Sequence, residues 1–383
     1  MKKIGIATFY TAINYGVHLQ AYALKEAIEK GGYDAQIVNY PHHLQKEAKE
    51  NGKIKKYLGK LTNVMTPHGI RRYFFMKNFR RSEAENAKKK SFKRFSAEKF
   101  NLTEYCDNLS DVEKICKNFD AFVCGSDQIW NPHYTACNPF FFLRFAPEKG
   151  RIAYAPSIGV SEIPKEYEEN YKKYLGEFAS LSARESSACE TVKKLTGREC
   201  KTVVDPTLLH SSDFWDTLSE KCDIEGDYAL LYFLGFSDTH KKIIDKIASL
   251  GIKTVNIPIC YETACDKRLI QKHASIGEFL SLVKGAKFVL TDSFHGAAFA
   301  VNYKKNFYSV SRSDTKFSLN GRTADFLKKI SLENRIVDKS NVSDVSFDEI
   351  DYSKPGELLE AWKKDSLEYL YSALGKATEE QDA

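Results

Sequence analysis

The sequence predicts an α/β protein of two domains, each with a mostly parallel sheet that carries helices on both faces. At ~150 residues per domain, a chain of 383 residues suggests two or three domains. Short strand-like runs alternate with amphipathic helical stretches along most of the chain. The apolar run 228–236 shows no polar alternation, which is typical of a strand buried on both faces.

The N-terminal half begins with a β–α–β unit. Residues 4–9 form a strand-like run, and a second one covers 35–39. Between them, apolar residues from Leu19 onward recur on one helical stripe, which Gly31 ends. Further β-rich runs in this half lie at 119–124, 151–155, 181–184 and 202–205.

The C-terminal half repeats the pattern. Its later strand-like runs lie at 253–257, 288–291 and 307–310. Polar residues interrupt the apolar pattern at 208–226, so we assign residues 1–215 and 216–383 to the two domains. A long amphipathic helix at about 356–374 belongs to the second domain in this division and could pack against either one.

Composition narrows the classes of function. The chain is 43% hydrophobic and 28% charged, as ordinary globular proteins are. A formal net charge of +6 indicates a mild attraction for anions and not the uniform binding of a polyanion. The nine cysteines include no Cys-x-x-Cys pair and no histidine partner at zinc spacing. We therefore expect reduced, mostly buried thiols and no metal site.

Two features of the sequence concern its location. The longest apolar run, 228–236, is far shorter than the ~20 residues of a membrane-spanning helix. The N-terminal Met-Lys-Lys leads directly into a strand-like run, without the apolar stretch of a signal peptide. We expect a cytoplasmic protein that could also be peripheral to the inner face of the membrane.

Residues 42–100 are rich in basic and aromatic side chains and indicate a helical insertion in the first domain. One interpretation is a solvated helix pair whose aromatic side chains dock on that domain. Another is that residues 71–95 present a basic and aromatic face to anionic lipid or to a lipid-linked substrate. Nucleic-acid binding is disfavoured because no nucleic-acid motif accompanies the charge.

Candidate ligand-binding residues follow the predicted strands, because ligands of parallel α/β sheets gather at the carboxyl ends of strands. After the first strand, Asn14 can cap the next helix or bind a ligand, and Gly16 permits a close approach of the backbone. This loop lacks a GxGxxG fingerprint, so a dinucleotide site is disfavoured. After 119–124, the polar run from Ser126 and Asp127 allows either sugar binding or Asx-turn capping.

Later strands end in side chains that could carry chemistry. Arg184 has a planar fork suited to carboxylate or phosphate, although such an arginine is more often a surface ion-pair partner. Asp205 precedes a proline and can either cap the following turn or act in catalysis. His295 lies in the first turn of a predicted helix that Ser293 caps, where an imidazole can transfer protons near neutral pH.

Five motifs occur together, in one order. They are Asn14-Tyr15-Gly16 with Leu19-Gln20-Ala21-Tyr22-Ala23-Leu24, Gly125-Ser126-Asp127-Gln128-Ile129-Trp130-Asn131-Pro132, Arg184-Glu185, Asp205-Pro206-Thr207-Leu208-Leu209, and Thr291-Asp292-Ser293-Phe294-His295-Gly296. Over about 4–330 the chain resembles the polysaccharide pyruvyl transferase family. The resemblance implies two Rossmann-like domains in a GT-B-like arrangement with an interdomain cleft.

Members of that family move pyruvate from phosphoenolpyruvate onto two hydroxyls of a sugar and form a cyclic ketal. The resemblance thus implies phosphoenolpyruvate as donor substrate, without metal or nicotinamide cofactor, and a nucleotide- or lipid-linked sugar as acceptor in surface polysaccharide assembly. The family's essential histidine matches His295, its strand-end carboxylate matches Asp205, and a donor-binding arginine matches Arg184. The residues assigned to the acceptor are Asn14, Tyr15, Gly16, Ser126, Asp127 and Gln128.

The chain departs from the family at one donor-binding position. Better-known members have Arg-Leu-His where this chain has Ser293-Phe294-His295, so one arginine is absent. Arg322, Lys316 or Arg312 could replace its charge, and solvated loop charge is the alternative interpretation of these three. The donor-binding residues assigned here are Arg184, Ser293, Lys316 and Arg322.

The expected chemistry suits these residue types. A carboxylate and a phosphate on one small donor require fixed cations, and ketal formation requires an acid for the methylene carbon and a base for the hydroxyls. His295 or Asp205 can fill either role. Two alternatives to a pyruvyl transferase are a sugar-nucleotide glycosyltransferase of the same architecture and a non-catalytic glycan- or membrane-binding protein.

Overall fold

Two parallel β-sheets form the two halves of the molecule in a computed structural model, which describes residues 1–40, 66–312 and 320–379. The first sheet has the order β2-β1-β3-β4, and every neighbouring pair of its strands runs parallel. A two-stranded parallel sheet, β5-β6, continues this half. The strands are β1 (Lys3–Ala7), β2 (Asp34–Ile37), β3 (Ala121–Cys124), β4 (Arg151–Ala153), β5 (Ser182–Ala183) and β6 (Lys201–Thr202).

The second sheet has six parallel strands in the order β12-β11-β10-β7-β8-β9. Its strands are β7 (Tyr228–Tyr232), β8 (Lys253–Asn256), β9 (Ile270–Gln271), β10 (Phe288–Thr291), β11 (Asn306–Val310) and β12 (Ile336–Val337). The apolar run predicted as a doubly buried strand forms β7, which is buried at every position. It ends at Tyr232 because the amides of Leu234 and Gly235 bond the side chain of Asp292 instead of another strand.

Helices connect the strands and cover the sheets. They are α1 (Tyr15–Lys30), α2 (Pro67–Phe79), α3 (Glu83–Lys99), α4 (Leu109–Cys116), α5 (Pro132–Thr135), α6 (Lys165–Gly176), α7 (Ser186–Thr196), α8 (Ser212–Asp216), α9 (Asp238–Ser249), α10 (Tyr261–Ala264), α11 (Ile276–Gly285), α12 (Phe294–Asn302), α13 (Asn320–Lys329) and α14 (Ser353–Glu379). Among the described residues, none of these helices is both long enough and apolar enough to span a membrane.

Local capping positions the two helices that matter most for the site. The side chain of Asn14 accepts a hydrogen bond from the amide of Val17 and so starts α1. The hydroxyl of Ser293 accepts one from the amide of Gly296 and starts α12. A Cβ on Gly296 would lie 2.2 Å from Oγ1 of Thr291, so this position requires glycine for α12 to pack on its own strand.

One apolar core runs through both halves of the molecule. It contains Ile4 and Leu19 from the first half and Val289 from the second. At the junction, the ring of Tyr15 stacks on Phe279 with centroids 4.4 Å apart. Because apolar burial is the main favourable term in folding, this shared core holds the halves together and fixes the gap between their sheets.

The insertion packs against both halves and not only, as one interpretation predicted, against the first. Phe92 of α3 lies 5.1 Å from the ring of Tyr15, and Phe95 lies 5.7 Å from Tyr22. Arg94 of the same helix bonds Glu220 at 2.8 Å, beyond the predicted domain boundary. Residues 42–65 of the predicted insertion lie outside the described residues.

The terminal helix α14 also bridges the two halves. The indole of Trp362 donates to the carbonyl of Thr202, and Tyr371 donates to the carbonyl of Ala27. On the other side, Nζ of Lys329 lies 4.9 Å from the centre of the Trp362 ring. The boundary predicted at residue 215 stays a prediction; the two sheets leave the segment between β6 and β7 without a strand in the described chain.

All nine cysteines are free thiols, and fewer of them are buried than we expected. The four buried ones are Cys106, Cys116, Cys124 and Cys137. Although the sequence shows no cysteine pair, the fold brings the sulfur atoms of Cys189 and Cys200 within 2.7 Å of each other. The first precedes β6 on helix α7 and the second enters β6 directly.

Candidate active site

The carboxyl ends of strands from both halves meet at the carboxylate of Asp205, which is the predicted GT-B-like arrangement with a site between two Rossmann-like halves. Oδ2 of Asp205 accepts hydrogen bonds from Oγ of Ser126 at 2.7 Å and from Nη1 of Arg184 at 2.8 Å. These partners follow β3 and β5 of the first half. His295, which follows β10 of the second half, places its Nε2 3.7 Å from the same oxygen.

Asp205 is both the predicted turn cap and the centre of this cluster. Its second oxygen, Oδ1, accepts from the amide and the hydroxyl of Thr207, at 3.0 and 2.7 Å. Burial by itself would raise the pKa of this carboxyl group, but the neighbouring His295 and Arg184 outweigh burial and hold the pKa well below its usual value. The carboxylate is therefore ionised and held by bonds at both oxygens.

His295 is held where α1 and α12 approach each other. A Cβ on Gly16 would lie 2.1 Å from Nδ1 of His295, so the glycine at this position gives the imidazole its space. The histidine is 7% exposed, and its Nε2 has no hydrogen-bond partner within the part of the chain that the structure describes. A ring nitrogen beside a carboxylate and without a closer partner is free to exchange a proton with a ligand.

Arg184 is buried in the cluster and is not a surface ion-pair partner. Its guanidinium carbon lies 4.3 Å from the centre of the Phe294 ring. Burial by itself would lower its pKa, but Asp205, Asp127 and nearby Glu185 raise the pKa above its usual value. Its Nε and Nη2 form no hydrogen bond among residues 1–40, 66–312 and 320–379, and the nearest carboxylate oxygens, on Glu185 and Asp127, are 4.0 Å away. Two donor atoms therefore remain for an anion.

Arg322, from α13, adds a second buried cation. It is 9% exposed, which excludes the interpretation as solvated loop charge. Burial and the neighbouring Arg184 lower its pKa to about 10, and Arg312 contributes to this repulsion. No described atom bonds its Nε. Lys316, the other predicted replacement, lies outside the described residues.

Ser293 has a local structural role. Its hydroxyl caps α12, and its amide donates to Oγ1 of Thr291 at 3.0 Å. A short neutral side chain committed to a cap cannot supply the charge of the missing arginine. Among the described residues of this region, the positive charge comes from Arg184, Arg312 and Arg322.

The residues assigned to the acceptor divide into two groups. Asp127 has φ 68° and ψ −172°, a backbone conformation that costs a non-glycine residue about 1–3 kcal/mol and is common at binding sites. Its carboxylate caps the amide of Gln128, whose side chain bonds Asn131 at 2.9 Å. The loop that holds Asp127 and Gln128 lies beside Arg184, since Oδ1 of Asp127 is 4.0 Å from Nη2 of Arg184. The predicted Asx capping is thus present.

The first loop contributes to the site mainly through its backbone. Tyr15 is 1% exposed, and its hydroxyl donates to the carbonyl of Ala274 at 2.7 Å. Tyr15 therefore packs between the halves, and its assignment to the acceptor stays a prediction. Asn14 caps α1, Gly16 adjoins His295, and Ser126 orients Asp205.

Sequence reasoning gave no binding or catalytic role to Asp292 and Glu185, which organise the loops around the cluster. Asp292 accepts from the amides of Leu234 and Gly235, and its Oδ2 lies 3.5 Å from Nε of Arg312. Oε1 of Glu185 accepts hydrogen bonds from the hydroxyl of Ser157 at 2.8 Å and from the amides of Ile158 and Gly159. The signal was available, because each carboxylate follows a strand end within one or two residues.

The described residues contain no group of three or more His, Cys, Asp and Glu side chains placed to hold a metal ion. The chemistry that this arrangement offers is anion binding by buried guanidinium groups and proton exchange at one imidazole.

Comparisons with known proteins place the chain in a family. A model of the polysaccharide pyruvyl transferase family matches residues 14–314. No curated protein matches the chain. Among solved structures, the UDP-GlcNAc 2-epimerase from Methanocaldococcus jannaschii is 14% identical, with 95% of this chain and 93% of that chain covered and a TM-score of 0.46.

Two further solved structures are similar at comparable levels. A putative UDP-N-acetylglucosamine 2-epimerase from Listeria monocytogenes is 12% identical, covers 98% of this chain and 94% of its own, and has a TM-score of 0.49. UGT89C1 from Arabidopsis thaliana, complexed with UDP-L-rhamnose, is 9% identical, with 97% and 98% covered and a TM-score of 0.48. Because the family model spans most of the sequence, this chain belongs to the polysaccharide pyruvyl transferase family, a family of transferases.

Proposed function

We propose that this protein transfers pyruvate from phosphoenolpyruvate to two hydroxyls of a glycan precursor and closes them into a cyclic ketal. One observation carries the proposal: buried arginines with unbonded N–H groups adjoin an imidazole whose Nε2 is also unbonded in the described chain. Phosphoenolpyruvate combines two anionic groups with a carbon that must be protonated. Membership of the pyruvyl transferase family supports the same choice.

The two anionic ends of the donor would take the free N–H groups of Arg184 and Arg322. Each guanidinium can form a planar, bidentate pair with a carboxylate or a phosphate. The two cations repel each other, and this repulsion adds to the larger effect of burial in lowering the pKa of Arg322. A bound dianion relieves that repulsion, which favours the donor over a neutral sugar at this position.

His295 would serve as the acid and base of the reaction. Its Nε2 is buried beside Asp205 and has no competing hydrogen bond to a described group. Protonated on this nitrogen, it would deliver a proton to the methylene carbon of the donor. The neutral imidazole would then accept the proton of an attacking hydroxyl.

Asp205 would position the machinery and would not itself exchange protons. Both of its oxygens already accept hydrogen bonds, and its pKa lies well below the usual value. Such a carboxylate stays ionised at neutral pH. It holds the guanidinium of Arg184 in place and stabilises the positive charge on His295 when that ring is protonated.

The bonds and protons of the proposed reaction balance. Protonation of the methylene carbon makes it a methyl group and leaves an oxocarbenium-like centre, which the first hydroxyl oxygen attacks. The bond from this carbon to the phosphate oxygen breaks, phosphate leaves, and the second hydroxyl oxygen attacks the same carbon. The two hydroxyls lose two protons, of which one replaces the proton given to the methylene carbon and the other leaves with phosphate.

We further propose that the acceptor is a nucleotide- or lipid-linked sugar. The protein would bind it in the cytoplasm during assembly of a surface polysaccharide. Asp127 and Gln128 are the acceptor contacts that this proposal keeps, because their loop adjoins Arg184. A nucleic-acid substrate has no part in this proposal.

Incubation with phosphoenolpyruvate and a panel of linked sugars tests the proposal. We expect phosphate release that depends on a sugar acceptor, together with a product that carries a carboxyl-bearing ketal by mass spectrometry. Hydrolysis of a UDP-sugar without phosphoenolpyruvate would favour a sugar-nucleotide glycosyltransferase. Sugar binding without turnover of either donor would favour a non-catalytic glycan-binding protein.

A further inference from the structure

Helix α2 exposes a row of large apolar side chains that the proposed reaction does not use. Ile70 is 44% exposed, Tyr73 51% and Phe74 55%. Positions three and four apart lie on one face of a helix, so these three side chains form a continuous surface. A contiguous group of exposed apolar side chains marks an interaction site more often than solitary exposed residues do.

The opposite face of the same helix is anchored to the protein. The ring of Phe75 packs against Tyr261 at 5.3 Å, and that of Phe79 lies 5.0 Å from His273. On this side Arg72 also pairs with a carboxylate, Glu262, at 3.1 Å. The helix is therefore held in one orientation, and its apolar row cannot turn inward without breaking these contacts.

Positive charge surrounds the apolar row. Arg71, Lys77 and Arg81 are all exposed, and none of the three forms an ion pair with a carboxylate of the described residues. The sequence from 66 to 82 contains five basic residues and no acidic one. We call Ile70, Tyr73 and Phe74 together with these three cations the α2 face.

Of the basic and aromatic residues predicted as an interaction surface, the fold exposes only the α2 face to a partner. The aromatic side chains of α3, Phe92 and Phe95, pack against Tyr15 and Tyr22 inside the protein, so they are not presented to an external partner. In the part of the insertion that the structure describes, only α2 combines exposed apolar side chains with basic side chains that form no ion pair.

We propose that the α2 face binds the surface of an anionic lipid bilayer. An amphipathic segment lies in the bilayer interface when its apolar tips enter the acyl boundary and its basic flanks meet anionic headgroups. A nucleic acid would use the cations but would leave an aliphatic Ile70 without a role. This inference is independent of the proposed reaction, since the α2 face shares no residue with the Asp205 cluster.

Sedimentation of the full chain with vesicles tests the proposal. We expect retention on vesicles of phosphatidylcholine and phosphatidylglycerol at low salt, a decrease with added salt, and little retention on phosphatidylcholine alone. The charge variant Arg71→Gln, Lys77→Gln and Arg81→Gln should lose about a hundredfold in apparent affinity, at ~1 kcal/mol per charge. The apolar variant Ile70→Ser, Tyr73→Ser and Phe74→Ser should also lose retention.

A matched control separates the α2 face from general positive charge. Lys241→Gln with Lys242→Gln removes two exposed cations from α9, on the second half, and should leave retention unchanged. All these side chains are exposed, so circular dichroism should show the parent fold in every variant. Turnover of phosphoenolpyruvate with a water-soluble acceptor should also be unchanged, which distinguishes failure of this inference from failure of the proposed function.

Three results would overturn the inference. One is the absence of retention on anionic vesicles at low salt. Another is retention that neither the charge variant nor the apolar variant reduces. The third is displacement from the vesicles by duplex DNA at an equal concentration of phosphate, which would favour a nucleic-acid partner.

Discussion

Nε2 of His295 lies 3.7 Å from Oδ2 of Asp205, although the two residues follow strands of different sheets. Neither half of the molecule can form this pair alone. The shared core, including the stack of Tyr15 on Phe279, holds the two sheets at the separation that the pair requires. In the proposed function, the contact between the acid–base residue and its carboxylate thus depends on packing between the halves.

Replacing His295 with Gln should abolish turnover and leave the fold intact. Glutamine keeps a polar side chain but cannot carry a proton, and general acid–base catalysis typically contributes about 10²–10⁴-fold in rate. Phosphate release from phosphoenolpyruvate, measured with the best acceptor, checks this. The control His133→Gln changes an exposed histidine and should retain parent activity. A His295→Gln enzyme within threefold of the parent would remove the imidazole from the mechanism.

Gly16→Ala should displace the imidazole of His295 while leaving the histidine itself unchanged. The added Cβ would lie 2.1 Å from Nδ1 of His295, so the ring or helix α1 must move. We expect a large loss of kcat and a lower melting temperature. The control Gly375→Ala adds a Cβ inside α14 that meets no described atom within 4 Å, and it should stabilise the protein slightly, by up to ~1 kcal/mol. Equal behaviour of the two variants would contradict this account of the Gly16 contact.

Arg322→Gln should weaken donor binding more than it lowers the stability of the fold. Burial and Arg184 already disfavour the charge on this side chain, so its removal should leave the melting temperature without ligand unchanged or higher. The KM for phosphoenolpyruvate should rise by at least about tenfold, since a charge-assisted hydrogen bond contributes ~1.5–3 kcal/mol. Thermal shift with and without phosphoenolpyruvate measures stability and donor binding, and initial rates of phosphate release give the KM.

The matched control for that experiment is Lys242→Gln, which removes an exposed cation. It should preserve the stabilisation by phosphoenolpyruvate, whereas Arg322→Gln should lose most of it. If Arg322→Gln is stabilised by the donor as strongly as the parent is, another cation balances the donor's charge.

Asp205→Asn should destabilise the folded protein. Asparagine retains the shape but leaves the buried guanidinium of Arg184 without its counter-charge, and breaking a buried ion pair typically costs about 3–5 kcal/mol. Urea unfolding at neutral pH measures the loss. Asp223→Asn disrupts an exposed pair with Lys221 at 3.2 Å and should change stability by less than ~1 kcal/mol. Similar values for both variants would show that Asp205 and Arg184 are not coupled.

Mild acid should destabilise the protein through two buried histidines away from the site. Burial lowers the pKa of His18 to about 4 and that of His210 to about 4. The unfolded chain therefore binds more protons between the unfolded value, ~6.5, and the folded one, so stability is lost as the pH falls through this window. The expected slope near its centre is ~2 kcal/mol per pH unit for the two rings together.

Urea unfolding at several pH values between neutrality and mild acid measures this slope. Replacing His210 with Gln removes one titrating ring and should reduce the slope by about half, whatever the variant does to stability at neutral pH. A parent protein whose stability is flat over this range would show that the two rings remain accessible to protons in the folded state.

Much of the candidate site follows from local sequence pattern. Arg184, Asp205 and His295 could be found because each follows a strand-like run, and parallel sheets present those ends on one edge. The caps at Asn14 and Ser293 are likewise local, since a capping side chain bonds an amide only a few residues away. The packing role of Tyr15 could not be predicted in this way, because its contacts are with Ala274 and Phe279, which are remote in sequence.

Short-range periodicity and motifs in a fixed order were enough to predict the α/β class, most of the strands, the caps at Asn14 and Ser293 and the resemblance to a pyruvyl transferase family. Three features became visible only in the folded chain: Asp205 binds Arg184, Arg322 enters the same cluster, and α2 rather than α3 presents an apolar face. Such contacts join residues far apart in the chain. Their formation depends on strand order and on the packing between the halves, which local patterns do not encode.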